Sequence, residues 1–369
     1  MQRNSISREM STYLDAVRFM AAVAVFISHV SVQRFTGGFL WQSEPYGDEA
    51  VDVFFVLSGF VIAYVSNQSE TTLRGYAIAR LARIYSVAFP VLLVTFALDA
   101  IGIKLRPDLY SATWGYVAHG KVLQFVTSLS FTDRLWWADI HQGSDKPYWS
   151  LSFEVWYYVI FACIIFGKGR AKIVSTVIAV ILAGPNIISL FPLWLIGVGC
   201  YHVCSHERDK TLGMALCIGP LLLWVTYEIW AWHGHRLTGI ELPWTSNRDQ
   251  ILQDYVVGSL FAVHLVGFNT ISSGISGVLL RFSKQIKWAA GATFTIYLFH
   301  YPITQFLTTV IPWEPSALPT RLVLFPGVLV IMFAIAELTE RRKEGWRQLF
   351  ANLVSHIQTA ARQLHLRSA

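Results

Sequence analysis

Charge is what this sequence has least of. Charged residues make up 14% of it, against a hydrophobic share of 54%. A soluble domain carries about 25% charged residues because its surface must face water. So little charge cannot cover a water-facing surface, and a soluble globular class is excluded. Cysteine is scarce too: Cys163, Cys200, Cys204 and Cys217 all lie in apolar stretches, and none has C-x-x-C spacing. Cys200 and Cys204 share a helix face, but a metal centre needs more convergent ligands, so the four read as small buried hydrophobes. Zinc-finger, RNP-like and helix-turn-helix signatures are missing, and no nucleic-acid partner is expected. Neither an internal repeat nor an inverted duplication of the transporter kind is visible.

What is there is a series of apolar segments of bilayer-spanning length, and at ~20 residues each roughly ten fit the chain. They fall near 13–32, 51–64, 84–103, 148–166, 172–186, 188–204, 211–230, 251–270, 289–309 and 321–338. The expectation is an all-α polytopic membrane bundle of about ten transmembrane helices. Arg3 and Arg8 before the first run imitate a signal peptide. Arg18 and His29 interrupt its apolar centre, and an uncleaved first span is expected.

The basic residues set the orientation. The N-terminus, Arg74 to Arg83, Lys168 to Lys172, Arg208 with Lys210, Arg281 to Lys287 and the tail all fall on one side. The loops near 104–147 and 231–249 on the other side hold fewer Lys and Arg per residue. Both termini are therefore expected in the cytoplasm, and the net charge of +6 suits anionic lipid there. Trp114, Trp136 and Trp137 suit an interfacial or re-entrant segment. The chain divides into a transmembrane unit, 1–340, and a basic amphipathic cytoplasmic tail, 341–369.

The first span holds an arginine and a histidine eleven residues apart, Arg18 and His29, with Asp15 a turn below the arginine. Eleven steps are about three helical turns, so both side chains share one face ~16 Å apart. An ionisable group inside a membrane helix is costly and marks a functional candidate. Asp52 begins the second span from the outer side, Glu154 lies about two turns into the fourth, and His300 lies mid-to-outer in the ninth. Arg80 and Arg83, at i and i+3 near the inner face, can offer one donor surface to phosphates. Each residue taken alone has an ordinary reading: interface anchors for the arginines, a helix cap for Asp52, packing roles for Glu154 and His300. Gly59 reads as a close-packing glycine.

Five motifs in order then carry a resemblance: the Arg18-x10-His29 pair, Asp52-Val-Phe-Phe-Val-Leu-Ser-Gly-Phe, Arg80-Leu-Ala-Arg-Ile, Trp149-Ser-Leu-Ser-Phe-Glu154 and Ile296-Tyr-Leu-Phe-His300-Tyr-Pro. The set resembles the acyltransferase-3 family of integral membrane O-acyltransferases over nearly the whole chain. Leu338-Thr-Glu340 resembles its closing segment, without the proline usual soon after. The resemblance implies O-acyl transfer, usually of acetyl from acetyl-CoA, to surface or secreted glycans at a bacterial cytoplasmic membrane, with Arg18 and His29 the essential pair. Family members differ in acceptor, which includes macrolides, lipids and Nod factors.

Together these readings assign His29 as general base or transient acyl carrier, and Glu154 and Asp52 as partners that orient it. His300 binds the acceptor or assists proton transfer, and Arg18, Arg80 and Arg83 hold the phosphates of the acyl-CoA donor. Acetyl-CoA is a co-substrate, and no permanently bound cofactor or metal is expected. The acceptor expected is an exopolysaccharide, lipopolysaccharide or lipo-oligosaccharide hydroxyl. The rival reading is a proton-coupled transporter or flippase of a glycan or lipid-linked intermediate, using the same His and Glu side chains as a relay. A third is a non-catalytic subunit of a polysaccharide exporter.

Overall fold

The computed structural model describes residues 6–111, 115–204, 209–237, 249–274 and 276–368. Trp114, Arg208 and most of the 231–249 loop lie outside the described residues. Helix follows helix: α1 (Arg8–Val30), α2 (Gln33–Thr36), α3 (Tyr46–Gln68), α4 (Leu73–Leu105), α5 (Lys121–Leu129), α6 (Trp149–Phe166), α7 (Gly169–Ser189) and α8 (Phe191–Val203). Then come α9 (Lys210–Trp230), α10 (Ile251–Ile271), α11 (Ser276–Arg281), α12 (Ser283–Ala290), α13 (Thr293–Val310), α14 (Leu318–Leu322), α15 (Val328–Leu338) and α16 (Lys343–Ser368). No β-strand occurs among the described residues. In lipid every backbone N–H and C=O must be satisfied within the chain, which leaves helices as the solution for such apolar segments.

Eight helical stretches among the described residues are long and apolar enough to cross a membrane. The chain is a multi-pass, all-α membrane protein. The other two expected segments are α8, only 13 residues long, and α13, whose histidine, glutamine and threonines dilute its apolar character. Ile173, Val177 and Ile181 on α7, and Leu221, Leu222 and Leu223 on α9, are exposed, as a lipid-facing surface requires.

Local chemistry explains the boundaries. Ser7 caps α1, its hydroxyl accepting from Met10 N–H at 3.0 Å. The apolar run predicts a second span from Val51, yet α3 starts at Tyr46. Pro45 precedes it, and Asp48 and Glu49 lie in the first turn, where acidic side chains favour the positive end of the helix dipole. Asp52 is therefore inside the helix and fully buried, which corrects its placement at the helix start. The basic Arg74 to Arg83 stretch, expected as a loop, is the first part of α4. Gly59 and Gly197 let α3 and α8 touch backbone to backbone: a Cβ on either would lie 1.9 or 2.0 Å from the other helix's carbonyl oxygen.

The turn expected at Gly184-Pro185-Asn186 is a kink within α7, with Gly184 at φ 78°. A Cβ there would also lie 2.6 Å from Trp136 Cα. The long polar connection folds onto the bundle end and is pinned by buried carboxylates. Asp99 accepts from Ser144 N–H at 2.9 Å and Ser144 Oγ–H at 2.6 Å. Asp133 accepts from Gln142 Nε2–H at 2.7 Å and Ser152 Oγ–H at 2.5 Å. Trp136 and Trp137 are exposed on it. At the opposite end α16 packs back along α4, with Tyr85 against Phe350 and Phe89 against Trp346.

Candidate active site

His29 lies in the last turn of α1 and His300 in the middle of α13, and these two helices pack together. The rings stack with centroids 5.2 Å apart, and His29 Nδ1 is 2.9 Å from His300 Nε2. A neighbouring bond assigns the protons. His300 Nδ1 lies 2.8 Å from the carbonyl oxygen of Ile296, and a carbonyl only accepts, so Nδ1 carries the hydrogen. In neutral His300 that leaves Nε2 as acceptor, and His29 Nδ1–H must donate to it. The basic lone pair of His29 is then on Nε2. Tyr301 packs edge-on to His29 at 5.2 Å, and Arg34 fixes it by donating to Tyr301 Oη at 2.8 Å and Gln305 Oε1 at 2.7 Å. His29 lines a cavity of about 160 Å³ together with Ser28, Glu44, Asp48 and Trp149.

A second cavity, of about 210 Å³, begins at the N-terminal end of α1 and holds Arg18, Arg83, Glu154 and Glu340. Its wall on α3 runs from Val51 to Val65, a rise of ~21 Å. Arg18 donates to Asp15 at 2.7 Å. Arg83 lines the cavity, and among the described residues its side chain has neither a hydrogen bond nor a close ion pair, while its carbonyl accepts from Ser86 Oγ–H at 2.9 Å. Glu154 accepts from Ser58 Oγ–H at 2.8 Å and from Tyr158 Oη–H, one turn along α6. Glu340, in the short turn between α15 and α16, caps α13: one oxygen accepts from the backbone N–H of Phe294 and Thr295, both at 3.0 Å. Val51 and Tyr297 line both cavities.

A family model described as an acyltransferase domain, the third acyltransferase family, matches residues 11–338. The chain belongs to the acyltransferase-3 family. Among curated relatives of this acyltransferase-family chain, the acyltransferase MdmB of Streptomyces mycarofaciens is 33% identical over 155 residues, 40% of this chain and 37% of that protein. YrhL of Bacillus subtilis, provisionally named a peptidoglycan O-acetyltransferase, is 23% identical over 80% of this chain and 49% of its own. A Staphylococcus aureus protein (strain COL) provisionally named an O-acetyltransferase is 27% identical over 58% of this chain and 35% of its own. The matched stretch thus spans less than half the length of each of these relatives. No solved structure matches.

Within this acyltransferase-3 chain the expected site residues fall into two groups and two outliers. His29 and His300 form one group; Arg18, Arg83 and Glu154 share the other cavity. Arg80 lines neither cavity; it donates to Glu70 at 2.5 Å beneath the rings of Tyr76 and Tyr158. The structure therefore separates the two arginines that helical spacing pairs. Asp52 lines neither cavity. His29 Nδ1 meets His300 Nε2, while Ser58 and Tyr158 hold Glu154 on the arginine side. Sequence reasoning missed Asp48, Ser58, Ser150, Tyr158 and Tyr297, and gave Glu340 no task. Of these, Ser150 and Tyr158, each four residues from Glu154, and Tyr297, three before His300, left a signal in the spacing.

Proposed function

We propose that this chain transfers an acyl group, acetyl first of all, from acyl-CoA to a hydroxyl of a carbohydrate acceptor at the bacterial cytoplasmic membrane. One observation carries the reading. His29 keeps a single basic nitrogen in a cavity that meets, at Val51 and Tyr297, a cavity lined by Arg18 and Arg83. The arginines suit the phosphates of CoA, and the ~21 Å wall along α3 suits its extended pantetheine arm. The acceptor then enters from the His29 side. Its hydroxyl oxygen attacks the thioester carbonyl carbon; a C–O bond forms and the C–S bond breaks. The hydroxyl proton passes to His29 Nε2 and on to the departing CoA thiolate. His300 Nε2 accepts from Nδ1–H throughout and steadies the imidazolium. The glycan acceptor draws support from the relative named for peptidoglycan O-acetylation.

The test compares glycans of cells with and without the gene by mass spectrometry, followed by His29→Gln and His29→Ala. The expected result is loss of acyl mass without the gene, and a ~10²–10⁴-fold rate loss in both variants at unchanged membrane yield. Near-wild-type transfer by His29→Gln would remove His29 as the base. A cavity on each side of Tyr297 also suits a proton-coupled transporter or flippase. That reading predicts glycan flux with neither acyl esters nor free CoA.

A further inference from the structure

We propose that Tyr297 is the partition between the two cavities and that it limits the size of the acyl group that reaches His29. The proposal rests on the acyl-transfer reading above for its consequence, though not for its geometry. Tyr297 and Val51 border both cavities, so they stand at the boundary between the Arg83 side and the His29 side. The Tyr297 side chain is buried among helices, with only 6% of the residue exposed. Its hydroxyl lies 2.6 Å from Ser150 Oγ, and Phe54 meets its ring edge-on with centroids 5.4 Å apart. Among the described residues this one hydrogen bond and one ring contact are its specific restraints.

The position on the helices matters as much as the contact. Tyr297 lies three residues before His300 on α13, and Ser150 lies four before Glu154 on α6. The pin therefore ties the helix of the histidine pair to the helix of the arginine-side carboxylate, one turn from each. A thioester arriving along α3 meets the phenol ring before it meets His29. Displacing the ring breaks one neutral hydrogen bond and exchanges it for the space of an aromatic side chain. That space admits a small acyl group, and a longer chain meets the α3 wall at Val51. With the ring in place, the thioester on the arginine side is also shielded from water entering with the acceptor.

Two measurements on the full chain in sealed membrane vesicles test this. The first is independent of catalysis. Ser28 lines only the histidine-side cavity, and Ser28→Cys, with the four native cysteines replaced by alanine, gives it a thiol. A small charged thiosulfonate reagent is applied at the face bearing the N-terminus. The expected result is no labelling with Tyr297 present, and labelling raised at least tenfold in Tyr297→Ala. Equal labelling in both overturns the partition. The second compares acetyl-, butyryl- and hexanoyl-CoA as donors, scoring acyl ester on the membrane glycan and free CoA. Tyr297→Ala should raise the butyryl-to-acetyl ratio at least tenfold and release CoA without ester. Tyr297→Phe, which keeps the ring and loses only the pin, should fall between and covers a folding failure of the alanine variant. An unchanged donor ratio in a folded variant overturns the size limit. A wild-type chain that transfers no acyl group from any donor refutes the acyl-transfer reading instead, and the labelling result still decides the partition.

Discussion

Leucine at position 300 is the perturbation that bears most directly on the site. His300→Leu keeps the buried volume in an apolar setting but removes the acceptor for His29 Nδ1–H, now 2.9 Å away. A buried donor left without a partner costs about 1–3 kcal/mol. His29 can avoid that cost by moving its proton to Nε2, and it then loses the lone pair that the proposed mechanism uses as base. At ~1.4 kcal/mol per decade the expected fall in kcat is roughly 5- to 150-fold. The KM for acetyl-CoA should not change, since Arg18 and Arg83 lie in the other cavity. His300→Gln restores an acceptor oxygen near the same place and should recover most of the rate. The assay follows labelled acetyl from acetyl-CoA into the membrane glycan, with yield checked on the same membranes. Wild-type turnover by His300→Leu would refute the tautomer argument. So would a His300→Gln protein that is folded and as slow as His300→Leu.

Other outcomes follow from the same geometry. Arg83→Gln should raise the donor KM about 10- to 150-fold, the effect of losing a ~1.5–3 kcal/mol hydrogen bond to a charged group. Arg80→Gln should raise it less, because Arg80 is committed to Glu70; equal effects in a binding assay would reverse the assignment. A reporter fused after Ala369 should be active only in the cytoplasm, and activity outside would overturn the orientation drawn from the basic loops. Burial holds the Asp133 carboxyl up at about 6, above its ordinary 3.8, against the opposing pull of Ser152 and Arg134. The folded loop thus binds that proton more tightly than the unfolded chain, so its stability is full below pH 4 and falls as pH rises through 6. Limited proteolysis of the 130–146 loop should show this trend, and Asp133→Asn should weaken it.

Much of the site was legible because its residues break a pattern. Arg18, His29 and His300 stand out as polar groups in apolar runs, and the ordered motifs identify the family before any coordinate is known. The separation of Arg80 from Arg83 was not legible. Helical spacing places both on neighbouring faces, but which face meets a cavity depends on Glu70, Tyr76 and Tyr158 around them. Asp48 and Glu49 were passed over because hydropathy marks the helix at Val51, whereas the dipole and Pro45 start it at Tyr46.

The sequence by itself determined the all-α, multi-pass class, the approximate spans and the polar residues that a bilayer tolerates only for a reason. That information is local: a bilayer acts on each ~20-residue segment separately, through its apolar length and its need for internal hydrogen bonds. Only the tertiary structure decided the partners. His29 and His300 are 271 residues apart in sequence and 2.9 Å apart in space. Glu340 caps a helix that starts 47 residues earlier, at Thr293. Tyr297 acquires its position between two cavities from α1, α3, α6 and α13 together. Such pairings depend on how helix faces pack against one another, and the hydropathy of a single helix carries no record of which neighbour its polar face will meet.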